Sequence, residues 1–130
     1  MVGASVGNDP PPSMQAPSHA RLGNSNYGAR VDCFAPGICL VTAGGGDLDQ
    51  GGGNANRTYT AAFSHTSGTS AVVAGAAILT QHMHVLANNS VLDPAGMRAL
   101  LTQHGRKQSA QDGNIGIMPD LRLIGNALGF

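Results

Sequence analysis

The segment Phe63-Ser64-His65-Thr66-Ser67-Gly68-Thr69-Ser70-Ala71-Val72-Val73-Ala74-Gly75-Ala76-Ala77 decides the fold. From Ala71 onward it is small and apolar, and the pattern continues through Ile78 and Leu79. These residues leave almost no polar face, which predicts a buried helix over residues 68–87. Thr66 and Ser67 stand where N-cap residues belong. A serine at a helix head has chemical potential. The N-terminus of a helix offers unpaired N–H groups and a partial positive field. A serine hydroxyl becomes a nucleophile once an adjacent base takes its proton.

On the C-terminal side, Asp93-Pro94 reads as an N-cap followed by proline at the first helical position. A second helix is predicted from Pro94 to about His104, with Gly105 as its C-cap. A third is predicted to start near Pro119-Asp120 and to fade towards Gly129. On the N-terminal side, residues 2–7 are small and apolar and fit a buried strand. Asn8-Asp9-Pro10-Pro11-Pro12-Ser13 ends it, because proline lacks a backbone donor. Strands are also predicted at 30–35 and 38–42, separated by Pro36-Gly37. The glycine-rich stretch from Gly44 to about Asn56 is longer than a tight turn needs, and an exposed loop is expected there. Strands first and helices after predict a single α/β layered domain over residues 1–130.

Composition narrows the function classes. The 130 residues carry 7 Lys plus Arg and 7 Asp plus Glu, so no basic stripe argues for nucleic acid. Charged residues are only 11%, which suits a body whose surface largely faces other protein. No apolar run approaches membrane-spanning length, so no membrane partner is expected. Cys33 and Cys39 lack zinc-site spacing. Their ordinary reading is two small buried hydrophobes, with a short-loop disulfide as the alternative.

Four segments, in order, resemble the subtilisin family of serine proteases. Val6-Gly7-Asn8 is similar to the family's Ala-Gly-Asn stretch. The segment from Tyr27 to Gly37, with Arg30-Val31-Asp32-Cys33-Phe34-Ala35-Pro36-Gly37, resembles the family's G-x-x-V/L-D-V-x-A-P-G. Phe63–Ala77 resembles the nucleophile motif G-T-S-x-A-[ST]-P-x-[VI]-[AS]-G. Leu92–Leu101 is similar to the helix that follows. The resemblance implies the C-terminal half of a three-layer α/β fold, with a mainly parallel sheet and a buried nucleophile helix. It implies a serine endopeptidase acting on polypeptide substrates through an acyl-enzyme, with Asn8 donating to the oxyanion. No cofactor or metal is implied, and the setting implied is secreted or extracytoplasmic.

The nucleophile segment aligns in two ways. Taking Gly68-Thr69-Ser70 as the family's Gly-Thr-Ser makes Ser70 the nucleophile, but opens a three-residue gap before Val72. Three residues are nearly a full helical turn. The gapless alignment makes Ser67 the nucleophile and places His65 for Gly, Thr69 for a small residue and Ala71 for Pro. The gapless form is preferred, because a deletion disturbs a packed helix more than substitutions do. The family's chain order is Asp, His, Ser. A chain beginning just before the oxyanion Asn is therefore expected to lack the catalytic Asp and His. No histidine precedes Asn8. The alternative reading is a non-catalytic relative, or a disrupted gene product, acting as a binding module.

Other motifs carry less. His82-Met83-His84 places its histidines on different sides of a helix, which argues against a metal pair. Asp47 and Asp49 are too few carboxylates for a calcium loop. Asn56-Arg57-Thr58 and Asn88-Asn89-Ser90 match glycosylation sequons. His65 lies near Ser67 in sequence, but side chains two residues apart at a helix entrance diverge. A steric role is expected for it rather than a dyad.

Overall fold

The computed structural model describes residues 1–8, 12–109 and 113–130. The break assigned to Asn8–Ser13 therefore lies partly outside the described residues. The main sheet has four strands: β1 (Val2–Ser5), β2 (Cys33–Pro36), β5 (Gly105–Lys107) and β6 (Ile117–Pro119), in the order β1-β2-β6-β5. β1 and β2 run parallel, with Val2 opposite Cys33 and Ser5 opposite Pro36. β6 runs parallel to β2, and β5 pairs antiparallel with β6. A separate hairpin joins β3 (Leu40–Ala43) to β4 (Tyr59–Phe63). The helices are α1 (His65–Asn88), α2 (Pro94–Gln103) and α3 (Leu121–Leu128).

Strand alternation sorts the core. Cys33 and Ala35 face the helices, packed with Val73 of α1, Leu101 of α2 and Ile124 of α3. Small side chains on this face let the helices lie close to the sheet. Phe34 points the other way, into a cluster with Val31 and Ile115. Phe34, Ile115 and Ile124 are fully buried, and each contributes about 1.5–3 kcal/mol by leaving water. The result is a mixed α/β body with a mostly parallel sheet. Its three helices share one core cluster on one face, and loop residues such as Ile115 cover the other. A second helical layer is not seen among the described residues.

Several expectations need correction. α1 begins three residues before residue 68, and its N-cap is Ser64 rather than Thr66 or Ser67. It is not a buried helix: Gly68, Thr69, Val73 and Thr80 are its buried residues, while Val72, Ile78, Leu79 and Leu86 stand exposed. Lack of charge made it read as buried, yet the sheet and its neighbouring helices cover only one side. By length and composition alone α1 is also long enough and apolar enough to cross a bilayer. Cys39 is exposed, and both cysteines are free thiols. Gly105 does not cap α2; His104 does, and Gly105 opens β5. A side chain at Gly105 would collide with the Met118 carbonyl, so glycine there permits the antiparallel pairing. Asp93 and Asp120 cap α2 and α3 through their carboxylates, accepting from Gly96 N at 2.7 Å and Arg122 N at 3.0 Å.

Candidate functional site

The carboxyl ends of β1 and β2 meet the head of α1. The Gly37 N–H donates to the Ser5 carbonyl at 2.8 Å, and the His65 N–H donates to the Gly37 carbonyl at 2.7 Å. The buried Thr69 hydroxyl lies 3.3 Å from the Pro36 carbonyl and 3.2 Å from the His65 carbonyl. Gly37 has to be small: a Cβ there would lie 2.6 Å from Ala4 Cβ and 3.1 Å from Thr69 Oγ1. Open parallel sheets place their sites beyond such carboxyl ends.

Ser64 enters α1 with extended backbone and makes no side-chain capping bond. His65 follows at φ +72°, the left-handed region that favours glycine. The sharp turn brings Ser67 into the first helical turn, where it is exposed. Among the described residues no hydrogen bond engages its hydroxyl. Ser70 sits a turn further on, and its hydroxyl donates to the Thr66 carbonyl at 2.8 Å. That bond ties Ser70 to the helix backbone. With no side-chain cap, and the His65 N–H held by Gly37, the first turn leaves the N–H groups of Thr66 and Ser67 without helical partners. The arrangement can present a hydroxyl beside donors that favour a developing negative charge.

Asn8 is exposed, and its recorded contact is through its main-chain carbonyl, which accepts from the Ser18 hydroxyl. The chain there follows residues 18–22, which bridge β1 on the edge away from β2: Val6 N–H donates to Ala20 O at 2.8 Å, and Ser5 bridges Arg21. The His65–Gly37 bond thus brings the head of α1, with Ser67 in its first turn, to the β2 end. The chain leaving β1 passes the same end, where a Cβ at Gly7 would lie 3.8 Å from Pro36 Cβ.

Near Ser67 the surface is shallow. An apolar hollow of about 140 Å³ lies between the hairpin and α1, lined by Leu40, Val41, Thr42, Phe63, Gly68, Ala71 and Val72. A larger hollow of about 510 Å³ opens at the other end of β2, around Asp32, Ala95 and Arg98. Its polar groups are engaged with one another, the Thr102 hydroxyl donating to the Arg98 carbonyl at 2.8 Å and Arg98 to Asp32, so size does not locate the chemistry here.

The remaining candidates are accounted for locally. Asp47 accepts from the Ala61 N–H at 3.0 Å and Asp49 from the Gly51 N–H at 2.8 Å, closing the β3–β4 loop. The Thr60 hydroxyl, then the Ala61 amide, hold the Asp47 carboxyl below its usual value. Two short 3₁₀ turns, Gly51–Gly53 and Ala55–Arg57, fill that loop. His84 packs with Asn88 and Ser90. No cluster of three metal-ligating side chains occurs among the described residues. Asn56 and Asn88 are both exposed.

Sequence reasoning missed Thr69 and Gly37, which hold the helix head to the sheet. The available signal was Pro36-Gly37, a strand stop whose glycine also serves close packing. Neither the family models nor the curated proteins include a match to this chain.

Proposed function

We propose that this chain is the nucleophile-bearing portion of a subtilisin-like serine peptidase, with Ser67 as the nucleophile and a polypeptide as substrate. The observation that carries the reading is the left-handed backbone of His65, φ +72°. In the gapless alignment this is the position where the family motif has glycine, the residue suited to such a turn. The free Ser67 hydroxyl and the committed Ser70 hydroxyl support the same choice.

In the proposed reaction Ser67 Oγ attacks the scissile carbonyl carbon while a base takes its proton. The carbonyl oxygen becomes an oxyanion beside the first-turn N–H groups, the amine departs with the proton, and water then releases the acyl group. None of the five histidines stands in a His-Gly-Thr context for the base, and in the family's Asp, His, Ser chain order the orienting Asp would precede that histidine. Another polypeptide segment must bring both. Asn8 belongs to the proposal as oxyanion donor, one residue beyond Gly7, where an added Cβ would lie against Pro36 at the β2 end.

The test is a chimaera that fuses a subtilisin N-terminal portion, bearing Asp and His, to residues 1–130. Peptide hydrolysis lost in Ser67→Ala and kept in Ser70→Ala is the expected result. A folded chimaera without activity, or activity dependent on Ser70 alone, overturns the proposal. The second reading, a non-catalytic relative, is favoured by one observation: His65 sets an exposed imidazole at the turn into the helix. In that case His65→Gly does not create activity in the chimaera.

A further inference from the structure

We propose that the exposed stripe of α1 is a self-association face on which a second copy of this chain docks. The proposal does not rest on the peptidase reading. Val72, Leu79 and Leu86 recur every seven residues along α1, so they lie on one side of it. They are 46%, 50% and 63% exposed, and Ile78 beside them is 71% exposed. Gly75 and His82 complete the stripe, and both are exposed. α1 carries no Asp, Glu, Lys or Arg from His65 to Asn88, so nothing on this face repels a like surface.

The pattern fits a helix as occupant and is symmetric about Leu79. An antiparallel pairing about a two-fold axis at Leu79 sets Val72 of one copy against Leu86 of the other, and the reverse. Such a self-complementary patch is what a two-fold dimer requires. A Cβ added at Gly75 would meet nothing within 4 Å. That leaves a notch for an incoming side chain. Complete burial of the stripe on two copies would remove on the order of 1,000 Å², the threshold for an interface and the size of a weak, reversible one.

Sedimentation velocity of the 130-residue chain over about a hundredfold concentration range tests this. A monomer–dimer equilibrium is expected, with Leu79→Lys monomeric throughout and Val91→Lys unchanged. Because Leu79→Lys could disturb folding, a second measurement uses a Cys39→Ser background. There Leu79→Cys forms an interchain disulfide under mild oxidation and Val91→Cys does not. A native chain monomeric at every concentration overturns the proposal, as does association untouched by Leu79→Lys with helicity intact. Flotation of the native chain with phosphatidylcholine vesicles, abolished by Leu79→Lys, also overturns it and makes the face a lipid-facing one.

Discussion

Arg98 reaches across 66 positions of sequence to clamp Asp32, its Nε 3.0 Å from Oδ1, and so ties α2 to the start of β2. Burial pushes the Asp32 carboxyl up, but the Arg98 hydrogen bond and then the terminal ammonium outweigh it, and the net shift is downward. A carboxyl depressed in the folded state stabilises above its unfolded value, and that contribution is lost as pH falls through the lower folded value. Asp32 is 25% and Arg98 66% exposed, so solvent screens the pair. Arg98→Ala is expected to cost no more than about 1 kcal/mol, with the difference from wild type vanishing in acid and shrinking in high salt. Thermal melts at neutral and acid pH check this.

His65→Gly is expected to stabilise the fold. A side chain in the left-handed region costs roughly 1–2 kcal/mol, and glycine relieves most of that while giving back some unfolded-state entropy. The net gain should be on the order of 0.5–1 kcal/mol. His65→Ala keeps the Cβ and should bring no such gain. Equal melting temperatures for the two variants would sink the strain argument.

Thr69→Val keeps the volume and removes the hydroxyl that joins α1 to Pro36. Buried bonds of this kind contribute about 0.5–1.5 kcal/mol, and the Pro36 carbonyl would lose a partner. The expected outcome is a loss of about 1–2 kcal/mol. Faster amide exchange should be confined to the first turn of α1 and to Gly37. Uniform loss of protection across α1 would mean that Thr69 is only core filling.

The two thiols should react unequally. Burial first, then the neighbouring Asp32 charge, pushes the Cys33 thiol up to about 11. Cys39 is exposed, at φ +52° between Gly37 and Leu40. A thiolate is the reactive form, so a maleimide at neutral pH should label Cys39 and spare Cys33 until the chain is unfolded. Labelling of Cys33 in the native protein would show that its site opens.

The helices were legible because their ends carry chemical marks: Asp93-Pro94 caps α2 as read, α3 starts beside Pro119-Asp120, and Gly129 ends it in the left-handed region. The start of α1 misled, since Ser64 caps without its side chain and His65 takes a backbone that histidine rarely adopts. β5 and β6, three residues each, were not legible; β6 is a strand because it pairs with β2 and β5 because it pairs with β6, and their own sequence carries no period. Periodicity also could not say how much of α1 is covered, because an uncharged helix reads the same with one covered side or two. At the candidate site Ser67 was visible from motif spacing. The role of Thr69 depended on how the head of α1 docks on Pro36, a tertiary contact across 33 positions that no local pattern marks.

Acid should destabilise the fold through His19. Its ring lies against Phe34, with centroids 6.3 Å apart, and its Nδ1 is buried without a hydrogen-bond partner. Burial first, and then the Arg106 charge, lowers its pKa below the ordinary 6.5. A histidine lowered in the folded state binds its proton more readily when unfolded. Stability is therefore full above about 6.5, the unfolded value, and falls as pH drops from there towards the folded value. His19 also sits at φ +64°, so the cleanest replacement is asparagine, which tolerates that backbone and does not titrate. His19→Asn should lose some packing against Phe34 at neutral pH, and its melting temperature should change less than that of wild type between pH 7 and pH 5. A wild-type profile that stays flat over this interval would show that His19 titration does not couple to folding, and one as steep in His19→Asn would assign the acid response to other groups.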